Sequence, residues 1–188
     1  MVLTKTPICK FGEKSHNFEL KGIDNKFHSL SSCVGKNGTL IMFICNHCPY
    51  VKAIIKDLVK DVDILKNNGI ATVAIMSNDT KKYPEDSFEK MKQFSDENNF
   101  SFPYLFDETQ DIAKKFGAVC TPDFFGYNKN MELQYRGRFR ELKNLQPVMV
   151  GNSELKIAME MIARTQKGPK EQIPSMGWQL EFLVKIVL

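Results

Sequence analysis

Residues 38–45 read GTLIMFIC, an unbroken apolar run of strand length. A strand with no polar side fits only a sheet covered on both faces, so the chain must supply covering elements for each. They are legible. Val51, Ile54, Ile55, Leu58, Val62 and Leu65 recur at helical spacing, the stripe of a one-faced helix that Gly69 closes after Asn67–Asn68. Ile70–Met76, IATVAIM, repeats the buried-strand pattern. Tyr83–Asn99 reads as a helix entered through Pro84, with Phe88, Met91 and Phe94 as its inner face. Tyr104–Phe106 reads as a short strand, and Gln110–Phe116 as a short helix stopped by Gly117. Asn17–Leu20 with Lys26–Leu30, and Asp123–Tyr127 with Glu132–Tyr135, read as hairpins; Leu155–Ala163 is a last helix. Helices alternating with buried strands predict a three-layer α/β sandwich whose first crossover is right-handed.

The 188 residues suit one well-filled core, and no repeat or linker divides them. Residues 1–165 are expected to form the domain, with 166–188 as a tail packing on it or on a partner. The net charge of +4 is dispersed, without a basic stripe interleaved with aromatics, which argues against a nucleic-acid partner. No stretch approaches the ~20 apolar residues of a membrane span. MVLTKTPICKFGEK lacks the apolar core of a signal segment, so the expected location is cytoplasmic. Thiols stay reduced there, and a cysteine pair is more often catalytic or metal-binding than a staple.

Cys45 and Cys48 lie where the first buried strand meets its helix, with His47 between the sulfurs. The spacing predicts Cys45 at or near the helix N-cap and Cys48 about one turn inside. Unpaired backbone N–H groups and the helix dipole favour a thiolate at the N-cap. A first helical turn brings the two sulfurs within disulfide range, and Pro49 fits an early helical position. A partly cationic His47 beside Cys45 is expected to lower its pKa further. Three readings compete: a redox dithiol, part of a soft-metal site completed by His47 and Cys120, or two buried cysteines. Zinc asks for four ligands and only one CxxC is present, so neither metal nor cofactor is expected. Further on, Thr121–Pro122 precedes a strand and is a candidate cis peptide. Cys120, one residue earlier, reads equally as a small core residue or as a third redox thiol. Cys9 and Cys33 read as structural. Tyr50, Phe124 and Phe125 read as core, or as an apolar apron for a docking partner.

CNHCPYV, SND followed by YPEDS, FPYL with DETQ, GAVCTPDFF and YRGR run from Cys45 to Arg138. Together they resemble thioredoxin-like proteins of the alkyl hydroperoxide reductase/thiol-specific antioxidant branch. The resemblance implies a central mixed β-sheet flanked by helices, with the N-terminal hairpin as an extension. It implies that Cys45 attacks and Cys48 resolves, that Thr121–Pro122 is a cis-proline clamp, and that partners are protein or small-molecule disulfides and thiols. Two departures stand out. Thioredoxins keep a buried acid on the strand before the dithiol, but Thr39–Ile44 has no carboxylate, which leaves Asp79, Asp123 or water as the base. Relatives also tend to carry a cysteine in the tail where this chain has Trp178.

The leading expectation is thiol–disulfide exchange through a mixed disulfide. A peroxidase is the alternative: Cys45 would attack peroxide and be resolved by Cys48 or Cys120. Peroxiredoxins place a threonine three residues before the reactive cysteine, where Met42 stands here, and an arginine beside it, for which Arg136, Arg138 and Arg140 are candidates. A metal-binding chaperone is third. The tail LEFLVKIVL is strongly β-prone, so it should pair with a sheet edge or form a homodimer contact.

Overall fold

The computed structural model describes residues 2–182. In chain order the elements are β1 (Leu3–Lys5), β2 (Glu19–Gly22), β3 (Phe27–Ser29), β4 (Gly38–Phe43), α1 (Pro49–Asn67), β5 (Ile70–Met76), α2 (Phe88–Glu97) and β6 (Tyr104–Phe106). There follow α3 (Asp111–Phe116), β7 (Cys120–Thr121), β8 (Asp123–Asn128), β9 (Leu133–Tyr135), the two-residue strands β10 (Leu142–Lys143) and β11 (Gln146–Pro147), α4 (Glu154–Thr165) and β12 (Met176–Gln179).

Seven strands form the central sheet in the order β3-β2-β6-β5-β4-β8-β9. It is mixed: β4 runs parallel to β5 and antiparallel to β8. The pleat explains the unbroken apolar run of β4. Leu40, Met42 and Ile44 join the cluster built with α1, α2 and α4, whereas Ile41 and Phe43 join the opposite cluster with Ile112 and Phe116 of α3. Every residue of β4 is buried. No helix among the described residues is long and apolar enough to cross a membrane.

The structure corrects several sequence boundaries. The helix expected over Tyr83–Asn99 is a single 3-10 turn, Pro84–Asp86, followed by α2. Ser87 is extended (φ −57°, ψ 155°) and breaks the two apart, because Asp86 turns into the interior instead of continuing a helical face. The first hairpin is shifted, and Leu30–Cys33 forms a 3-10 turn capped by Ser29. Residues 166–182 return across the domain, and β12 inserts between β1 and β7. Of the β-prone tail, residues 183–188 lie outside the described residues.

Candidate active site

β4 ends at Phe43, and Ile44 still donates its N–H to the Ile75 carbonyl (3.1 Å) before the chain turns away from the sheet. α1 does not begin at Cys45. Its N-cap is Cys48 (φ −62°, ψ 123°) and Pro49 is its first residue. Pro49 is the reason: its fixed φ and missing N–H suit the first helical position, so the residue before it is held extended. The sequence expectation is therefore corrected by three residues. Cys48 is the cysteine at the positive end of α1, and Cys45 sits on the strand-to-loop junction.

Thr121 joins the two sulfurs. Its hydroxyl is 3.1 Å from Cys45 Sγ, and its carbonyl accepts from the Cys48 thiol at 3.1 Å. The Thr121–Pro122 peptide is cis. Both cysteines are free and hydrogen-bond one another. Their ionisation is split. The hydrogen bond from Cys45 is the main cause that pulls the Cys48 thiol down to about 6; N–H groups of Val51 and Trp178 assist, against the opposing effect of burial. Burial first, then the bond to Cys48 and the Asp86 carboxylate, push Cys45 well above the usual thiol range. The expected lowering of Cys45 by His47 is thus reversed.

His47 is committed elsewhere. Its Nδ1 lies 2.6 Å from Asp86 Oδ2, its ring stacks on Tyr83 (4.7 Å between centroids, 11° between planes), and Trp178 lies at 5.6 Å. Asp86 is fully buried and also accepts from the N–H of Asn46 (2.8 Å) and His47 (3.3 Å) and from Asn78 Nδ2 (2.8 Å). Cys45, His47 and Asp86 each offer an atom within 4.8 Å of the others. With the Asp86 oxygens taken by four N–H donors, the cluster is a hydrogen-bonded network rather than an open coordination shell.

Asp86 is the buried acid that sequence reasoning missed, since YPEDS passed for the first turn of a helix. The acids it favoured are otherwise engaged. Asp79 caps the N–H of Lys81 (2.9 Å) on the surface. Asp123 pairs with Arg136 (2.9 Å); burial nevertheless pushes its carboxyl up to about 6, with the guanidinium opposing. Arg138 bonds Glu154, and Arg140 lies 3.4 Å from Asp57. Cys120 is buried, with its sulfur toward the Pro122 carbonyl (3.7 Å), and burial raises its thiol. Burial also raises Cys9, to about 11, and Cys33. Phe124 and Phe125 are core. Tyr50 instead lines a cavity of about 280 Å³ with Ile54, Pro122, Phe139 and Met176.

Neither sulfur faces solvent: Cys45 is 1% exposed and Cys48 0%. The cover is a strap, residues 175–181. Ser175 Oγ donates to the Pro122 carbonyl (2.8 Å), Trp178 lies opposite Thr121, and Leu180 donates to the Val119 carbonyl (2.9 Å). Beyond it, Glu181 is held by Lys82 and, through its carbonyl, by Gln110 Nε2.

A family model described as AhpC/TSA matches residues 11–139. The chain belongs to the AhpC/TSA family. Membership makes it a thiol oxidoreductase in general. A conserved protein of Geobacillus kaustophilus shares 34% identity and superposes with a TM-score of 0.92, covering 97% of each chain. A secreted disulfide oxidoreductase of Mycobacterium tuberculosis (17% identity, TM-score 0.53) aligns over 62% of this chain and 80% of its own. The peroxidoxin BcpB of the same organism (16%, TM-score 0.56) aligns over 66% and 82%. Both share the thioredoxin-like fold. No curated protein matches the chain.

Proposed function

We propose that the protein carries out thiol–disulfide exchange with the Cys45–Cys48 dithiol, through a mixed disulfide with a protein or small-molecule partner. The observation that carries this reading is the meeting of two free, hydrogen-bonded thiols on Thr121, beside a cis proline. One sulfur forms a disulfide with the visitor, the other displaces it, and two electrons leave as the dithiol becomes a disulfide. Burial of both sulfurs requires that the strap lift before a visitor enters. An incoming extended peptide could then pair with the freed edge of β7, as β12 does now.

The peroxidase reading is less well supported. Arg136, Arg138 and Arg140 are each engaged with carboxylates, and none hydrogen-bonds either thiol. Reduction of insulin disulfides, together with mass mapping of a Cys45–Cys48 disulfide after oxidation, tests the proposal. Wild-type-like reduction by a Cys45→Ser, Cys48→Ser double variant refutes it. Peroxide consumption at a rate exceeding disulfide exchange would favour the alternative.

A further inference from the structure

The cavity that Tyr50 lines borders the dithiol and has a chemistry of its own. Tyr50 follows Cys48 by two residues, and Pro122, also in the lining, directly follows the Thr121 that joins both sulfurs. The volume of about 280 Å³ is close to the lower end of the range for small-molecule sites. Ile54, Phe139 and Leu142 contribute apolar wall, and Met176 brings the strap into the lining. An occupant therefore touches α1, the cis-proline loop and the strap at once.

Lys5, Arg138 and Arg140 are in the lining, and no carboxylate is. Arg138 is engaged by Glu154 (2.8 Å) and Glu141 (3.4 Å). The other two cations keep capacity. Lys5 pairs with Met176 through the backbone, and no side chain among the described residues answers its ammonium. Arg140 packs its guanidinium over Phe139 (4.9 Å), reaches Asp57 (3.4 Å) and donates to the Gly151 carbonyl (3.1 Å). Its Nε is nevertheless buried and has no acceptor among the described residues. A buried N–H left without a partner is costly, and a carboxylate oxygen is the acceptor that best suits a guanidinium.

We infer that this cavity binds the carboxylate end of a low-molecular-weight disulfide, and that the substrate class is a small organic disulfide bearing a carboxylate on a short apolar body. The inference rests on the exchange reading above and narrows it. Arg140 and Lys5 hold the carboxylate, the apolar walls hold the body, and Pro122 keeps the reacting end next to Thr121. In one turnover the visitor's S–S bond breaks and a Cys45–Cys48 S–S bond forms. Two electrons and two protons pass from the dithiol, and two carboxylate-bearing thiols depart. Cations without an acid beside them in the lining select against a cationic disulfide of the same length.

Adipate is dithiodiglycolate with a methylene in place of each sulfur, so it reads binding apart from exchange. Titration calorimetry of the reduced wild-type protein with adipate should show one saturable site, and putrescine, a diamine of similar length, should show none. Arg140→Gln should weaken adipate at least about tenfold, as loss of a charge-assisted hydrogen bond does, with circular dichroism confirming the fold. Lys5→Glu, at an exposed position, should weaken it about threefold or more, and decides the matter should Arg140→Gln not fold. No saturable site, or unchanged affinity in the folded variants, overturns the inference. Exchange gives the second arm. Dithiodiglycolate should oxidise the wild-type dithiol faster than cystamine, and the ratio of the two rates should fall in both variants, a comparison that cancels the intrinsic reactivity of each disulfide. If wild type binds adipate but exchanges no disulfide, the proposed function falls and the cavity remains a carboxylate site. If it exchanges cystamine as readily as dithiodiglycolate, the function stands and this inference falls. Faster exchange with an acidic cystine-containing peptide than with dithiodiglycolate would also overturn it, by moving the substrate to the protein class.

Discussion

Gly177→Ala should uncover the dithiol without unfolding the domain. A Cβ at position 177 would fall 2.0 Å from the Thr121 carbonyl oxygen and 2.6 Å from its carbon. Both are backbone atoms of the loop that holds the sulfurs, so no side-chain rotation relieves the clash. Overpacking of this kind costs about 1–3 kcal/mol. β12 meets β7 over only two register pairs, Trp178–Thr121 and Gln179–Cys120. Each hydrogen bond contributes a net ~0.5–1.5 kcal/mol, so the clash is comparable with the β7 pairing alone, while β1, Ser175 and Leu180 still tether the strap and limit its opening to the stretch against Thr121. Lifting the strap is the cheapest relief. A bias of about 1–3 kcal/mol corresponds to roughly 5–150-fold in population, and Cys48 alkylation should accelerate by that factor. Trp178 is the single tryptophan, so its fluorescence should shift to the red together with the gain in labelling. Unchanged Cys48 labelling in a folded Gly177→Ala protein would refute the gating argument. So would a gain in labelling matched by equal loss of global stability, because that signals unfolding of the whole domain.

Cys48 alkylation in wild type should rise through pH about 6 and flatten near pH 8, following its thiolate fraction. A folded pKa below the ordinary thiol value of 9.0 also stabilises the fold above that value; urea titrations should show this contribution lost as pH falls through about 6. Asp123→Ala leaves Arg136 buried without its carboxylate, and should cost about 3–5 kcal/mol in denaturant unfolding. Ser153→Ala removes the acceptor of the Lys156 N–H at the start of α4, and should lower stability by about 1 kcal/mol. Cys120→Ala should leave insulin reduction near wild type, because that thiol is buried against the Pro122 carbonyl and raised by burial; loss of activity in a folded variant would make it a redox thiol instead.

Local pattern explains what was legible. β4, α1 and β5 announce themselves through apolar period alone, and the motif spacing brings Cys45, Cys48 and Thr121 to one sheet end, where the structure has them. The polarity of the pair was not legible. A proline is acceptable in any early helical position, so the sequence could not place the N-cap at Cys48 rather than Cys45. Asp86 was hidden for a related reason: Pro84-Glu-Asp satisfies helix-entry statistics, and only the extended Ser87 reveals the inward turn. The strap does alternate, with Met176, Trp178 and Leu180 at every second position, but its partner Thr121 is more than fifty residues away in sequence, so the pairing could not be read locally. One local clue existed. Gly177 beside Trp178 offers a strand residue without a side chain, as a close backbone approach demands.

β1 and β12 pair residue for residue, Leu3 with Trp178 and Lys5 with Met176, so both extremities of the described chain converge above the sulfurs. An affinity handle or fluorescent fusion attached ahead of Leu3 would lie within a few residues of that crossing. Its bulk would tug on the very pairing that shields the thiols. Turnover measured on a tagged preparation will therefore combine intrinsic chemistry with leverage from the tag, and comparing cleaved with uncleaved protein separates the two.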